Sequence, residues 1–224
     1  MCQRFSLTAE WPELSDRFRI HRFESEYRPR YNISPTQTVS VVVEESRERI
    51  LVDARWGFIP YWSKDAVNAD GRSVGDRSIF RRIVNKQRCV IPCSGFYGWI
   101  SNRKVYQPVR FVFRDRRTFA VPGFYEIWPR VDGKEIRACT MVTTTPNGLV
   151  EGFADRMPAM LDEAGIDEWL SEGNVEYRRV FPLIRELPER EMDMYPVGGY
   201  VNDTAYESPA CVEPIRSVYA ALRR

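Results

Sequence analysis

The chain has 224 residues, 43% of them hydrophobic and 13% aromatic, which suits one sizeable core and excludes a disordered tail. Its 33 basic residues against 31 acidic ones leave a net charge of only +2, so a polyanionic partner must be met by a local patch rather than by the field of the whole molecule. Five cysteines, Cys2, Cys89, Cys93, Cys139 and Cys211, an odd number with no apolar leader, point to a reducing, cytoplasmic compartment without disulfides.

The chain opens Met1-Cys2-Gln3-Arg4-Phe5. Once Met1 is removed, Cys2 carries an α-amine with a reference pKa of about 8 beside a thiol of about 8.5, both available near neutral pH. Such a 1,2-aminothiol condenses with aldehydes to a thiazolidine, which is covalent catalysis with the chain terminus as reagent. The plainer alternative is a small apolar residue starting a strand. Leu7 to Phe23 then mixes Trp11, Leu14, Phe18 and Ile20 with charges at helical spacing and predicts a short amphipathic helix, with His21, given no role, at its end.

Arg30-Tyr31-Asn32-Ile33-Ser34-Pro35-Thr36 marks a turn before the β-branched run Val39 to Val43, and Arg49 to Trp56 reads as its partner strand. An aromatic loop, Trp56 to Trp62, follows; its rings suit core packing or platforms for unstacked bases. From Asp70 to Arg88 six cations (Arg72, Arg77, Arg81, Arg82, Lys86 and Arg88) face Asp70 and Asp76. With Phe80 embedded, this stretch is a solvated helical face or a groove that tracks a nucleic-acid backbone.

Cys89 to Pro92 is an apolar strand leading into Gly95-Phe96-Tyr97-Gly98-Trp99; a similar phrase, Gly123 to Trp128, returns after the strand Val109 to Phe113 and suggests two related turns of one sheet. Cys89 and Cys93 are spaced as a ligand pair, but with a single histidine and no second close pair they read as buried thiols, and neither metal nor cofactor is expected. A strand from Ala138 to Thr145, the loop Val150 to Pro158, a helix from about Asp162 to Leu170 and the phrase Tyr195 to Asn202 complete the chain. Short strands with peripheral helices and no βαβ alternation predict a single α+β domain with a curved, largely antiparallel sheet core.

The ordered set Cys2-x-Arg4-Phe5, Arg30 to Thr36, Trp56 to Trp62, Asn68-Ala69, Arg88 to Trp99, Asp155-Arg156-Met157-Pro158, Val201-Asn202 and Glu213-Pro214-Ile215 resembles the abasic-site-processing family, also called the SOS-response-associated peptidase family. The resemblance implies a pseudo-barrel, a groove for single-stranded DNA, and capture of the ring-opened sugar of an abasic site by Cys2. It implies Asn32 as the active-site asparagine, and together with the cation-rich stretch and the aromatic loop it makes Trp62, Asn68, Arg77, Phe80, Arg81, Arg82 and Arg156 the candidate DNA contacts. It further implies a cytoplasmic, nucleoid-associated monomer with no membrane partner, and a peptidase- or lyase-like activity.

Departures fall at the chemistry. Gly98 stands where the family has a proton-handling glutamate, and Ala154 where it has a histidine; Asp70 replaces an arginine, and Gln3 a glycine. Glu126, in the second aromatic phrase, is the other acid weighed for the missing role. Two readings follow: a covalent sensor of DNA damage in which Cys2 acts with little help, general acids and bases being worth about 10²–10⁴-fold each, or a catalytically degenerate nucleic-acid-binding protein.

Overall fold

The computed structural model describes residues 3–24, 26–58, 66–77, 80, 83–102, 105–129 and 133–216. After β1 (Phe5–Leu7), Pro12 sits in the first turn of α1 (Trp11–Phe18), which buries Leu14 and Phe18 on one face. The helix is shorter than its periodic pattern because Arg19 turns left-handed, its amide returning to Asp16, while Leu7 is already strand. β2 (Arg22–Phe23) and β3 (Arg30–Ile33) precede β4 (Thr38–Glu45) and β5 (Glu48–Trp56). Ser46 and Arg47, both at positive φ, join β4 to β5 as a two-residue hairpin turn.

β6 (Asn68–Asp70) and β7 (Arg88–Cys93) follow, then β8 (Gly95–Asn102), β9 (Val105–Phe113), β10 (Phe119–Pro129) and β11 (Glu135–Thr144). β12 (Met157–Pro158), α2 (Glu163–Leu170), α3 (Tyr177–Val180) and β13 (Met192–Pro196) complete the order. One sheet runs β13-β9-β8-β1-β3. The other runs β12-β11-β10-β7-β4-β5-β2, and β5 also pairs with β11, closing β11, β10, β7, β4 and β5 into a ring. Every pairing in the ring is antiparallel except that closing contact, so the expected α+β pseudo-barrel is present.

Val41, Val42 and Val43 are all buried, as are all residues of β7, because these central strands are covered on both faces. α2 supplies part of the cover. The Asp162 side chain caps its first turn by accepting from the Gly165 amide at 2.8 Å, and Trp169 donates its indole N–H to the Cys89 carbonyl at 2.9 Å. The two sheets meet where Phe5 and Trp56 pack edge to face, centroids 5.1 Å apart.

Three local expectations are corrected. The two glycine-aromatic phrases belong to different sheets, the first on β8 and the second on β10. The cation-rich stretch is no helical face where it is described: Val74–Asp76 is a single 3₁₀ turn and Ile83 and Val84 are buried. Arg88, counted there as a surface cation, is buried on β7 and donates to the Trp169 and Ser171 carbonyls at 2.7 and 2.6 Å. Cys89, Cys93, Cys139 and Cys211 are buried thiols that form no disulfide among the described residues. No helix among the described residues is long and apolar enough to cross a membrane.

Candidate functional site

β1 lies between β3 and β8, with Phe5 opposite both Ile33 and Phe96. The Tyr97 amide donates to the Arg4 carbonyl at 3.1 Å, which continues this pairing back to Arg4. Gln3 and Arg4 stand in the wall of a cleft of about 490 Å³, with the Ser34–Gln37 turn, Val67, Asn68 and Thr204. Asn68 reaches the cleft because β5 and β6 pair in parallel with the same edge of β11, Trp56 beside Cys139 and Asn68 beside Met141.

Thr36 in the cleft wall has φ 76°, left-handed for a β-branched residue, and its amide donates to the Trp56 carbonyl at 2.7 Å. Strain of this kind is kept only where the surroundings over-determine it. Burial pulls the Arg4 guanidinium below its ordinary pKa, against the opposing influence of Tyr106 and Asp203.

Asn32 is fully buried, and its amide donates to the Asp203 and Tyr206 carbonyls at 2.8 and 2.9 Å. Gln37 donates to the Thr204 carbonyl at 2.9 Å, so β3 and its turn clamp the 203–206 loop that borders the cleft. In this structure the Asn32 amide holds a wall of the site together.

Arg156 is equally committed. It donates to Asp70 at 2.9 Å and to the Thr143 hydroxyl and carbonyl at 2.9 and 2.7 Å, with its side chain 16% exposed. Burial works to raise the Asp70 pKa, but hydrogen bonds from Arg72 and Arg156 outweigh it and hold the carboxyl below its ordinary range. Asp70 is therefore no bare charge reversal: it carries two guanidinium partners and ties β6 to the 155–158 loop.

Phe153, three residues before Arg156, is a neighbour of Gly98. A Cβ on Gly98 would stand 3.0 Å from both the Phe153 Cβ and Phe111 Cε2, so Phe153, adjacent to Ala154, packs against the glycine. The substituted positions 98 and 154 thus lie close together, and a side chain at 98 would press on Phe153 and Phe111. Glu126 does not replace the missing acid there: it is on β10, its carboxylate takes the Trp128 indole N–H at 2.9 Å, and burial raises its pKa against that bond.

Phe80, expected to offer a face to a base, is fully buried between Phe58 and Phe124, centroids 6.0 and 5.7 Å away; it is core, and no nucleotide reaches it. Arg77 is exposed beyond the 3₁₀ turn. Cys2, Trp62, Arg81 and Arg82 lie outside the described residues. Sequence reasoning missed Thr36, Gln37, Phe153 and Thr204; only the turn-forming Ser-Pro-Thr run offered a signal, since the others act through distant partners. No group of three or more histidine, cysteine, aspartate or glutamate side chains suited to a metal occurs among the described residues.

A family model described as SOS response associated peptidase (SRAP) matches residues 1–204. The abasic site processing protein YoqW of Bacillus subtilis (strain 168) is 33% identical over 222 residues, covering 95% of this chain and 99% of its own. The abasic site processing protein HMCES of Gallus gallus is 27% identical, covering 86% of this chain and 68% of its own. A crystal structure of a protein from Bacteroides thetaiotaomicron superposes with TM-score 0.76 at 20% identity over 96% of this chain, which bears on the fold alone.

Proposed function

Because the chain belongs to the SOS response associated peptidase family, we propose that it serves the DNA-damage response by binding single-stranded DNA at the cleft beside its first residues and cross-linking to abasic sites through Cys2. The observation that carries this is the meeting at one cleft of Gln3 and Arg4, which directly follow Cys2, with Asn68 and the Ser34–Gln37 turn. The names of the relatives support the substrate class.

In the proposed reaction Met1 is first removed. The freed Cys2 amine adds to the sugar aldehyde and one water leaves, giving an imine; the thiolate then adds to the imine carbon and the nitrogen takes up a proton. The product is a thiazolidine, one water lighter than its reactants. Asn32 acts by ordering the wall on which the strand rests, and Asn68 by offering an amide to the sugar. Trp62, Arg77, Arg81 and Arg82 follow the strand without reading its sequence, so affinity falls as salt rises. The protein acts as a monomer in the cytoplasm, on the nucleoid when bound to DNA.

The alternative, a non-covalent DNA-binding protein with degenerate chemistry, is favoured by Gly98 and Ala154, which carry no proton-handling group, and by Phe111 and Phe153, which a Cβ at 98 would meet at 3.0 Å. The two are separated by incubating Met1-free protein with a single strand holding one abasic site and running a denaturing gel. The covalent reading expects a shifted band that Cys2→Ser loses, because an alcohol closes poorly on an imine. A strand that binds in native gels yet leaves no denaturation-resistant band supports the degenerate reading.

A further inference from the structure

Beside the cleft, the loop that carries Thr204 holds aromatic side chains that the proposed reaction does not use. Tyr200 and Tyr206 are stacked, centroids 5.1 Å apart at 24°, and remain 52% and 37% exposed. A second stack, Trp99 on Tyr106 at 6.0 Å and 17°, lies next to it, and the Trp99 indole donates to Asn202 at 2.8 Å. Isolated exposed tyrosines need no explanation, but here two are stacked on one another in the loop that borders the cleft, and Asn202 of the same loop is tied to the second stack.

The Tyr200 ring is placed by what surrounds it. A Cβ at position 198 would stand 2.6 Å from Tyr200 Cε2 and 2.7 Å from Cδ2, so a glycine there leaves this side of the ring its place. Val201 is fixed by the Arg4 guanidinium at 3.2 Å, and the Asp203 and Tyr206 carbonyls by Asn32. Arg4 and Thr204 thus belong both to this loop and to the wall of the cleft. Rings already immobilised lose little freedom when a flat partner settles on them.

We propose that the Tyr200–Tyr206 pair is a stacking platform for one nucleobase of the bound strand, a neighbour of the nucleotide seated in the cleft. This rests on the strand binding proposed above. Asp203, beside Arg4 and held by the Ala205 amide at 2.9 Å, disfavours a phosphate at this point of the loop, so the ring faces rather than backbone contacts define the subsite. Stacking of this kind accepts every base and favours purines.

The test uses fluorescence anisotropy of the full chain with a short single strand carrying a tetrahydrofuran abasic analogue, which has no aldehyde and keeps binding separate from cross-linking. In a companion series one further base is removed at each flanking position in turn. Removal at one flank should weaken wild-type binding about tenfold, and Tyr200→Ala or Tyr206→Ala should weaken the intact strand by a like factor and abolish the effect of that removal. Tyr206→Trp should retain affinity. Wild-type binding with alanine variants that bind equally well, or that still feel the missing base in full, overturns the platform and leaves the proposed function standing. A wild type that binds no strand overturns both.

Discussion

Gly98→Ala isolates the steric closure over this glycine, because a single methyl group is asked to enter space already bounded by the Phe111 ring and by the Cβ and carbonyl of Phe153. Its Cβ would lie 3.0 Å from Phe111 Cε2 and from the Phe153 Cβ, and Phe111 is fully buried, so neither neighbour yields without disturbing its own packing. Overpacking of this kind costs about 1–3 kcal/mol. For a chain of this length each kcal/mol lowers Tm by about 2–4 °C, so a cost near 2 kcal/mol gives a drop of about 4–8 °C. Phe111→Ala, which removes Cε2 from a fully buried ring, should cost about 3–5 kcal/mol by itself. In the double variant the added methyl no longer meets Phe111 Cε2, so the two costs should fall short of their sum by about 1–2 kcal/mol. Urea unfolding followed by tryptophan fluorescence measures all four corners of this cycle. A Gly98→Ala protein as stable as wild type, or strictly additive costs, would show that Phe111 yields freely and that the space over Gly98 is not closed by it.

The remaining predictions share this packing. Gly98→Glu with Ala154→His should accelerate cross-linking only when Phe111→Leu is added to take Cε2 away from the new Cβ, as read by band shift against time; acceleration in the double variant alone contradicts the steric argument. Asp70 has a folded-state pKa below its unfolded value, so its contribution is fully present above about pH 4 and is lost as pH falls through the folded pKa. Asp70→Asn should accordingly lower Tm at neutral pH and flatten its fall between about pH 4 and pH 2, and a variant that parallels wild type throughout removes the Asp70–Arg156 tie from the account. Thr36→Asn, which tolerates the left-handed backbone, should raise Tm by about 2–4 °C, whereas an unchanged or lower Tm would mean that Thr36 carries no strain.

What was legible in the sequence was local. The β-branched run of β4, the apolar Cys89 to Pro92 segment and the capped helix after Asp162 appear where their patterns place them, since strand period and capping chemistry act within a few residues. The closure of the ring was not legible, because β5 and β11 meet across the whole middle of the chain in one short parallel contact. Phe80 misled for a related reason: cations surround it in sequence, while the rings that bury it, Phe58 and Phe124, come from elsewhere. Asp70 and Arg156, 86 positions apart, looked like an isolated anion and an isolated phosphate ligand until the fold paired them. The site shows the same division, with its terminus and its substituted positions readable as motifs and the packing of Phe153 visible only in three dimensions.

The central claim, that the terminus itself is the reagent, is tested most directly by the intact mass of Met1-free protein after incubation with a single strand bearing one natural abasic site, measured under denaturing conditions. The account predicts a species equal to protein plus DNA less one water, absent from Cys2→Ser and from protein that retains Met1. Unmodified protein as the sole product, with native binding of the same strand intact, would contradict it.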